Sequence, residues 1–171
     1  MGRAKQLLTY RGKALVEHAA EEALASEFDP VIVVVGANAE SVRATVAELP
    51  VVIVENPEWE SGMGSSIAAG MRVLPDCDGV AILLIDQPLV TAVHLRGMRG
   101  SFSGDIVAAR YNDRLGVPAI FPKRLFRSLS ALHGHEGARS VLRAADERVM
   151  AFDLPEAAMD VDTPADLAAL D

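Results

Sequence analysis

The segment Val80-Ala81-Ile82-Leu83-Leu84-Ile85-Asp86-Gln87-Pro88 decides the fold, because an unbroken apolar run ends there at a carboxylate. Two β-branched runs, residues 31–35 and 51–54, come before it, and a stretch with helical spacing follows each of the three runs. Short buried strands that alternate with helices are typical of a largely parallel sheet covered on both faces. The sequence therefore predicts an α/β fold with three layers, in which helices cover both faces of a Rossmann-like, mostly parallel sheet.

The same patterns predict the other elements along the chain. Helical spacing indicates helices at residues 15–25, 39–49, 65–74, 91–98, 123–131, 137–145 and 164–170. Strands are predicted at residues 105–109, 117–121 and 148–152, with a turn at residues 111–114. Pro118 lies inside a predicted strand, which favours an edge strand or a bulge at that point. No repeat, linker or low-complexity tract interrupts the pattern, so residues 1–171 are expected to form a single domain.

Composition excludes several classes of protein. The 171 residues are 50% hydrophobic and 23% charged, a balance typical of a globular chain. No apolar run approaches the ~20 residues that span a bilayer, and Cys77, the single cysteine, excludes an internal disulfide and a thiolate metal cluster. The formal charge of −8 repels a phosphate backbone. We therefore expect a cytoplasmic protein that acts on small molecules and binds neither nucleic acid nor membrane.

Asp86 is the first candidate for chemistry. Ligands of open α/β sheets bind beyond the carboxyl ends of the strands, where a carboxylate is well placed to hold a divalent metal. The alternative is that Asp86 caps the next helix, but Thr91 directly precedes that helix and is a good N-cap residue. Position alone therefore favours a metal role for Asp86.

A second group of carboxylates lies near the C-terminus. Thr163, Pro164 and Asp166 have the spacing of an N-cap, a first helical residue and a capping acid. Asp160 and Asp162 are not needed for that cap, and side chains two residues apart on an extended segment face the same side. One of the two could complete a magnesium site with Asp86, although acidic residues before a helix are also common on solvated surfaces.

Two glycine-containing segments are candidates for ligand binding. Gly62-Met63-Gly64-Ser65-Ser66 leads into a helix and offers close backbone approach, hydroxyls and helix N-terminal amides, although it also fits an ordinary turn. Trp59, just before it, fits a packing anchor better than a stacking platform. Gly134-His135-Glu136-Gly137-Ala138-Arg139 places a guanidinium after a glycine-flanked loop, which suits a substrate phosphate or, equally, a solvated loop. The single glycine at Gly36 lacks the rest of a dinucleotide-binding fingerprint.

Taken in order, these segments resemble the MobA-like nucleotidyltransferases, and within them the molybdenum cofactor cytidylyltransferase branch. The resemblance extends along almost the whole chain. It rests on Met1-Gly2-Arg3-Ala4-Lys5-Gln6-Leu7-Leu8, Tyr10-Arg11-Gly12-Lys13, Val35-Gly36-Ala37-Asn38, Glu55-Asn56-Pro57, Gly62-Met63-Gly64-Ser65-Ser66, Asp86-Gln87-Pro88, Gly116-Val117-Pro118, Gly134-His135-Glu136-Gly137-Ala138-Arg139 and Asp160-Val161-Asp162-Thr163-Pro164.

The resemblance implies a fold like that of the nucleotide-diphospho-sugar transferases and a Mg²⁺-dependent reaction. CMP would pass from CTP to a phosphorylated acceptor such as molybdopterin, and pyrophosphate would be released; Gln87 and the Gly-Met-Gly-Ser-Ser segment favour CTP over GTP. The resemblance assigns the metal to Asp86 and Asp162, and catalysis to Lys5 and Asp86. The nucleotide-binding residues that it implies are Lys5, Gly62, Gly64, Ser65, Ser66 and Asp86. The acceptor-binding residues that it implies are Gly116, Pro118, Gly134, Gly137 and Arg139.

One departure from the family pattern concerns the N-terminus. Family members begin with a buried strand and a Leu-Ala-Ala-Gly-x-Ser-x-Arg loop directly before Met-Gly, whereas this sequence begins at Met1. We therefore expect an N-terminally truncated domain with an unfilled central strand position, whose exposed backbone edges favour pairing with another chain, including a homodimer. One hypothesis is that Met1 is an internal methionine of a longer protein. Its rival is that the short form is genuine.

Three functions follow as hypotheses. The first is the cytidylyltransferase, or a relative that activates another phosphorylated acceptor. The second is a non-catalytic nucleotide-binding or interaction module that lacks the triphosphate loop. The third is an oxidoreductase, a function with which proteins of similar sequence are labelled, and hydride transfer from a reduced cofactor would separate it from the other two.

Overall fold

The computed structural model describes residues 4–145, 149–168 and 170. Its strands are β1 (Thr9–Tyr10), β2 (Lys13–Ala14), β3 (Ile32–Val35), β4 (Val52–Glu55), β5 (Gly79–Ile82), β6 (Ile106–Tyr111), β7 (Arg114–Pro122) and β8 (Val149–Asp153). Its α-helices are α1 (Leu15–Ala25), α2 (Ala39–Val46), α3 (Met63–Val73), α4 (Ala92–Ser101), α5 (Phe126–Ser130), α6 (Ala138–Ala144) and α7 (Pro164–Ala168). Short 3₁₀ turns occupy Lys5–Leu7, Trp59–Ser61, Lys123–Leu125 and Pro155–Ala158.

The strands form a mixed arrangement. Strands β3 and β4 pair in parallel, and β8 is parallel to β6. Strand β7 runs antiparallel to both of its neighbours, in the order β5-β7-β6-β8. The α/β class is confirmed, and the parallel pairing that the sequence predicts holds for β3–β4 and β6–β8. The antiparallel β7 follows from the tight turn at Asn112 and Asp113, since a two-residue connection can only join antiparallel strands.

Helices cover both faces of the sheet, as the sequence predicts. One core cluster joins α5 and α6 to the sheet through Leu129, Val141 and Leu142, which pack with Phe121, and Ile67 of α3 packs against it. On the other face, Leu95 and Met98 of α4 pack against the alternate residues of β6. Helices α1 and α2 pack on β3 through a third cluster. Side chains alternate between the two faces of the sheet along each strand. The cluster with α5 and α6 and the cluster with α4 therefore contain different residues of β6 and β7.

Pro118 lies at a bulge in a central strand rather than at an edge. Strand β7 has neighbours on both sides, and its register with β6 shifts so that Ala108 pairs with Ala119 while Ala109 pairs with Gly116. Val117 and Pro118 therefore have no partner in the β6–β7 hydrogen-bond ladder, so the missing N–H of the proline leaves no ladder hydrogen bond unmade. Of the two predicted settings for this proline, the bulge is confirmed and the edge strand is wrong.

A long apolar slot separates β3 from β5. Strand β3 pairs only with β4, and β5 pairs only with β7, among the residues described. The slot has a volume of about 1160 Å³ and is lined by residues 31–35 on one side and residues 79–85 on the other. The edges of β3 and β5 that carry no described partner strand therefore face a common cleft.

The slot also shortens the strand before Asp86. The sequence predicts a strand over residues 80–85, but β5 ends at Ile82, and a turn occupies Ile85 and Asp86. Ile82 pairs with Ala119, the first residue of β7 after its bulge, and the slot lies on the opposite side. In the part of the chain that the structure describes, no strand pairs with Leu83 or Leu84 on either side.

Some predicted features lie outside the described residues, and some described features were not predicted. Residues 1–3 of the N-terminal motif and Arg148 are outside the described part of the chain. The β1–β2 hairpin and the 3₁₀ turns have too few residues for a periodicity to indicate them. Within the described residues, no helix combines the length and apolarity needed to cross a bilayer.

The slot predicts an alternation in hydrogen exchange along β3. The carbonyls of Val31 and Val35 accept hydrogen bonds from Val52 and Asn56 of the β4 side, at 2.9 and 2.8 Å. Alternate residues of a parallel strand direct their backbone groups to the same neighbour, so the amides of Ile32 and Val34 face the slot. We expect these two amides to exchange at least about tenfold faster than the amide of Val33 in NMR-detected hydrogen exchange. Equal protection would show that another strand occupies the slot in solution, for example from a second copy.

Candidate active site

A backbone hydrogen bond assembles the acidic residues of the site. The N–H of Val161 donates to the carbonyl of Asp86 at 2.8 Å, and the Val161 side chain is fully buried. Since Asp160 and Asp162 flank Val161, this bond places the C-terminal carboxylates beside Asp86. Gln87 reinforces the junction, because its buried amide nitrogen donates to the carbonyls of Ala157 and Val117 at 2.8 and 3.3 Å.

Lys5 bridges two of these carboxylates. Its Nζ donates to Oδ2 of Asp86 and to Oδ1 of Asp162, both at 2.6 Å. The Asp86 side chain is 19% exposed, Lys5 30% and Asp162 74%, so the group opens to solvent on the Asp162 side. Partial burial alone would lower the pKa of Lys5, but the hydrogen bonds and charges of Asp162 and Asp86 raise it above its ordinary value. The lysine therefore remains an ammonium ion at neutral pH.

The carboxylates of Asp86 and Asp162 fit a hard divalent cation whose remaining ligands come from a bound substrate and water. Oδ1 of Asp86 is buried and has no hydrogen-bond partner among the described residues, which leaves its lone pairs available. No cluster of three or more His, Cys, Asp or Glu side chains in the described part of the chain could hold a metal by itself. Mg²⁺ is commonly bound by one or two carboxylates together with substrate phosphates and water. Asp86 and Asp162 match that incomplete set.

Asp160 lies at the same junction on the other side of Val161. Burial, followed by the negative charge of Asp86, raises the pKa of Asp160, while Gln87, Lys5 and Arg139 act in the opposite direction. Both members of the Asp160/Asp162 pair are thus near Asp86, whereas the sequence indicated only that one of them could join it. Of the two, Asp162 shares the lysine with Asp86.

The first turn of α3 and the segment before it hydrogen-bond to each other through their polar side chains. Asn56 is buried, and its amide nitrogen donates to the hydroxyls of Ser65 and Ser66 at 2.8 and 3.1 Å. The buried hydroxyl of Ser65 lies 2.8 Å from the carbonyl of Gly62, to which it can donate. Ser65 is thus committed to the shape of the turn, whereas Ser66 lines the slot.

Gly62 and Gly64 allow two loops to touch through their backbones. The N–H of Gly64 donates to the carbonyl of Gly134 at 3.0 Å. A Cβ at position 62 would lie 2.2 Å from that carbonyl oxygen, and one at position 64 would lie 2.6 Å from the nitrogen of His133. Both glycines were predicted to serve a nucleotide, and the structure shows them in contact with the loop predicted to serve the acceptor.

The predicted acceptor residues divide between this loop and β7. Gly137 is the N-cap of α6, which positions Arg139 in the first turn. Arg139 reaches Tyr111, which in turn lies over Gly116. Pro118 is buried at the bulge. The structure therefore brings Gly116 and Arg139 together through Tyr111, a residue that sequence patterns marked only as the first of a predicted turn.

Two structural expectations are confirmed. Thr163 and Asp166 form the expected cap, since the Thr163 N–H donates to Oδ2 of Asp166 at 2.7 Å. Thr91 caps α4 in a capping box with His94. Trp59 lies against the backbone of Gly36, where an added Cβ would lie 2.4 Å from the tryptophan Cβ, but the residue is 43% exposed, so its role as a packing anchor stays a prediction.

Comparison with known proteins yields a family and several relatives. The model of the MobA-like NTP transferase domain matches residues 1–149. The Nicotine blue oxidoreductase of Paenarthrobacter nicotinovorans is 36% identical over 148 residues, which cover 81% of this chain and 72% of that protein. The family match extends through Asp86 and Arg139 but ends before Asp162.

Solved structures share the fold over nearly the whole chain. A crystal structure of Rv0371c from Mycobacterium tuberculosis H37Rv, in complex with manganese, is 30% identical and superposes with a TM-score of 0.80, covering 99% of this chain and 91% of that one. A nucleotidyl transferase of Methanothermobacter, Mth528, is 20% identical, with a TM-score of 0.81 and coverage of 97% and 82%. At that identity the second likeness concerns the fold alone.

The contact between the two loops predicts a cost for Gly64→Ala. The added methyl would meet the backbone of His133, which cannot move aside as a flexible side chain would. We expect a loss of about 1–3 kcal/mol in the free energy of unfolding, measured by urea denaturation. Gly100→Ala is the matched control, because a Cβ there meets nothing within 4 Å in a helix, and we expect it to be neutral or slightly stabilising. Equal stabilities for the two variants would contradict the proposed contact.

Proposed function

This chain belongs to the MobA-like NTP transferase domain family, and on that premise we propose that it is a nucleotidyltransferase that moves CMP from CTP to a phosphorylated small acceptor and releases pyrophosphate. Molybdopterin is the acceptor that the sequence resemblance suggests. The observation that carries the proposal is the Lys5–Asp86–Asp162 group, in which one ammonium and two carboxylates meet. Their chain neighbours Gln6 and Ile85 line the slot.

Asp86 and Asp162 are proposed to hold Mg²⁺, and Lys5 to contact the phosphates of the nucleotide. The buried, unpartnered Oδ1 of Asp86 supports this assignment, as does the manganese complex of the Mycobacterium tuberculosis relative. A bound divalent cation neutralises charge on the phosphates and orients them for in-line displacement. When a nucleotide is present, the ammonium of Lys5 supplies a further positive charge on the same side.

The nucleotide and acceptor are proposed to meet across the loop contact. Gly62 and Ser66 line the slot and supply a backbone edge and a hydroxyl to the nucleotide, while Gly64 and Ser65 hold the turn in shape. Arg139 faces the same opening and is proposed to bind the acceptor phosphate, with Gly116, Pro118, Gly134 and Gly137 shaping its surroundings. A phosphate acceptor is already ionised, so its attack on the nucleotide needs no general base.

A second candidate function follows from the relative named Nicotine blue oxidoreductase, at 36% identity. It requires transfer of hydride from a reduced cofactor to a heteroaromatic substrate. Oxidation of NADPH in the presence of such a substrate, without pyrophosphate release from any nucleotide, would favour this function. Pyrophosphate release from CTP without NADPH oxidation would favour the nucleotidyltransferase.

The metal assignment predicts the behaviour of Asp86→Asn. The amide keeps the size of the side chain but removes the charge that would hold the cation, so Mg²⁺-dependent binding of CTP should weaken at least about tenfold, which is ~1.4 kcal/mol. Calorimetric titration with CTP and with GTP, each with and without Mg²⁺, measures the effect. We expect the wild-type chain to bind CTP more tightly than GTP, and only when Mg²⁺ is present.

Asp76→Asn is the matched control for this titration. Asp76 is an exposed carboxylate paired with Lys123 before the amino end of β5, at the far end of the strand from Asp86. Its replacement should leave nucleotide affinity unchanged. Unaltered Mg²⁺–CTP affinity in a folded Asp86→Asn variant would refute the metal assignment, and a preference for GTP would refute the choice of nucleotide.

Lys5→Met should change metal and nucleotide affinity in opposite directions. The ammonium occupies the space between Asp86 and Asp162, so it competes with a cation that arrives alone but assists one that arrives with a nucleotide. We expect Mn²⁺ alone to bind about three- to tenfold more tightly and Mg²⁺–CTP to bind about tenfold more weakly. Manganese paramagnetic resonance and calorimetry measure the two affinities, with Lys123→Met as the control. A loss of both affinities would show that Lys5 only supports the structure.

A further inference from the structure

We infer that Tyr111 is a positioning residue that fixes the guanidinium of Arg139 for a phosphate monoester on the acceptor. The identity of the bound group rests on the proposed function, whereas the contact between the two side chains does not. Tyr111 is the last residue of β6 and is 7% exposed, and Arg139 lies in the first turn of α6. The two residues are thus held on different elements of the fold.

The direction of the hydrogen bonds makes Tyr111 an acceptor for Arg139. Nη2 of Arg139 donates to Oη of Tyr111 at 2.6 Å. The same Oη donates its single hydrogen to the carbonyl of Val117, at 3.2 Å in the bulge of β7. Since the hydroxyl proton is committed to the backbone, the lone pairs of Oη face the guanidinium. The β7 bulge therefore orients the hydroxyl that orients the arginine.

The ring of Tyr111 and the absence of a side chain at Gly116 add to this arrangement. Cζ of Arg139 lies 5.7 Å from the centroid of the ring, within the range of a cation–π contact. A Cβ at position 116 would lie 2.5 Å from Oη of Tyr111 and 3.0 Å from Nη2 of Arg139. Gly116 thus leaves the space in which the two side chains meet, which gives this glycine a physical role on the acceptor side.

A neutral partner leaves the arginine with its charge and most of its donors. A guanidinium has five N–H donors, and the bond to Tyr111 uses one of them. The carboxylate of Asp160 is close enough for its charge to interact with Arg139, so an unrestrained guanidinium would be drawn towards it. By holding Nη2, Tyr111 keeps the other N–H donors of the guanidinium free. Two of them can then bind a phosphate in a bidentate contact, which requires a fixed orientation of the guanidinium plane.

Tyr111→Phe tests the inference, because it removes the hydroxyl and keeps the buried ring. In ¹⁵N NMR spectra of arginine-labelled protein, we expect separate, slowly exchanging Nη–H signals for Arg139 in the wild type and averaged signals in the variant. The signals are assigned by their loss in Arg139→Lys. With phenyl phosphate as the probe, we expect the dissociation constant to rise about three- to tenfold, because an unrestrained guanidinium must be ordered when the phosphate binds.

Tyr10→Phe is the matched control, since the buried hydroxyl of Tyr10 has no hydrogen-bond partner among the described residues. It should change neither the Arg139 signals nor the affinity for phenyl phosphate. Gly116→Ala is a second variant that separates the two side chains while keeping both, and it should reproduce the effect of Tyr111→Phe.

The outcomes separate this inference from the proposed function. Unchanged Arg139 signals in folded Tyr111→Phe would overturn the positioning role, whatever the chain does to nucleotides. Averaged signals in the variant, together with no binding of phenyl phosphate to the wild type, would overturn the phosphate assignment and leave the positioning role standing. Equal loss of affinity in Tyr10→Phe would overturn both parts, because it would trace the effect to general loss of packing.

Discussion

The hydrogen bond from the Val161 N–H to the Asp86 carbonyl is the contact on which the site depends. It joins the turn after β5 to a segment more than seventy residues later in the chain, and the fully buried Val161 side chain anchors that segment in the core. Buried backbone groups require partners, so this junction has one strongly preferred geometry. Because Asp160 and Asp162 flank the anchored residue, the core itself sets the positions of the charged groups that face solvent.

Lys5, from a third segment of the chain, joins the two carboxylates of this junction. Without a countercharge, two carboxylates at such close range would repel each other, and the ammonium removes that cost with hydrogen bonds of 2.6 Å to each. The next residue, Gln6, lines the slot between β3 and β5 and donates to the carbonyl of Ala37 beyond the end of β3. The N-terminal 3₁₀ turn is thus tied to both sides of the slot at its carboxyl end, although the strand edges below it are unpaired.

The layers of this fold and the carboxylates of the site could be predicted from the sequence, but the contacts that position those carboxylates could not. Periodicity indicated α1 with the bounds that the structure has, and the spacing of Asp160 and Asp162 indicated that one of them could join Asp86. The sequence patterns failed where tertiary pairing decides the outcome: β5 ends at Ile82, where its partner β7 reaches the bulge, and Pro118 lies in a central strand because the pairing skips it. The partnership of Tyr111 with Arg139 joins residues on two elements, and no local pattern encodes it.

The two glycine segments illustrate why motif spacing alone does not reveal every role of a glycine. Gly62 is the N-cap of α3 and Gly64 lies in its first turn, which is also the pattern expected of a loop that cradles phosphate. In the folded chain the absence of a side chain at these two glycines lets the backbone of residues 133–134 pack directly against them. A few residues later, Gly137 is the N-cap of α6, the helix that carries Arg139. A side chain at Gly64 would push this loop away from the slot and carry Arg139 with it. The glycines therefore fix the distance between the proposed nucleotide side and the proposed acceptor side, and that distance decides whether two bound phosphates can react in line.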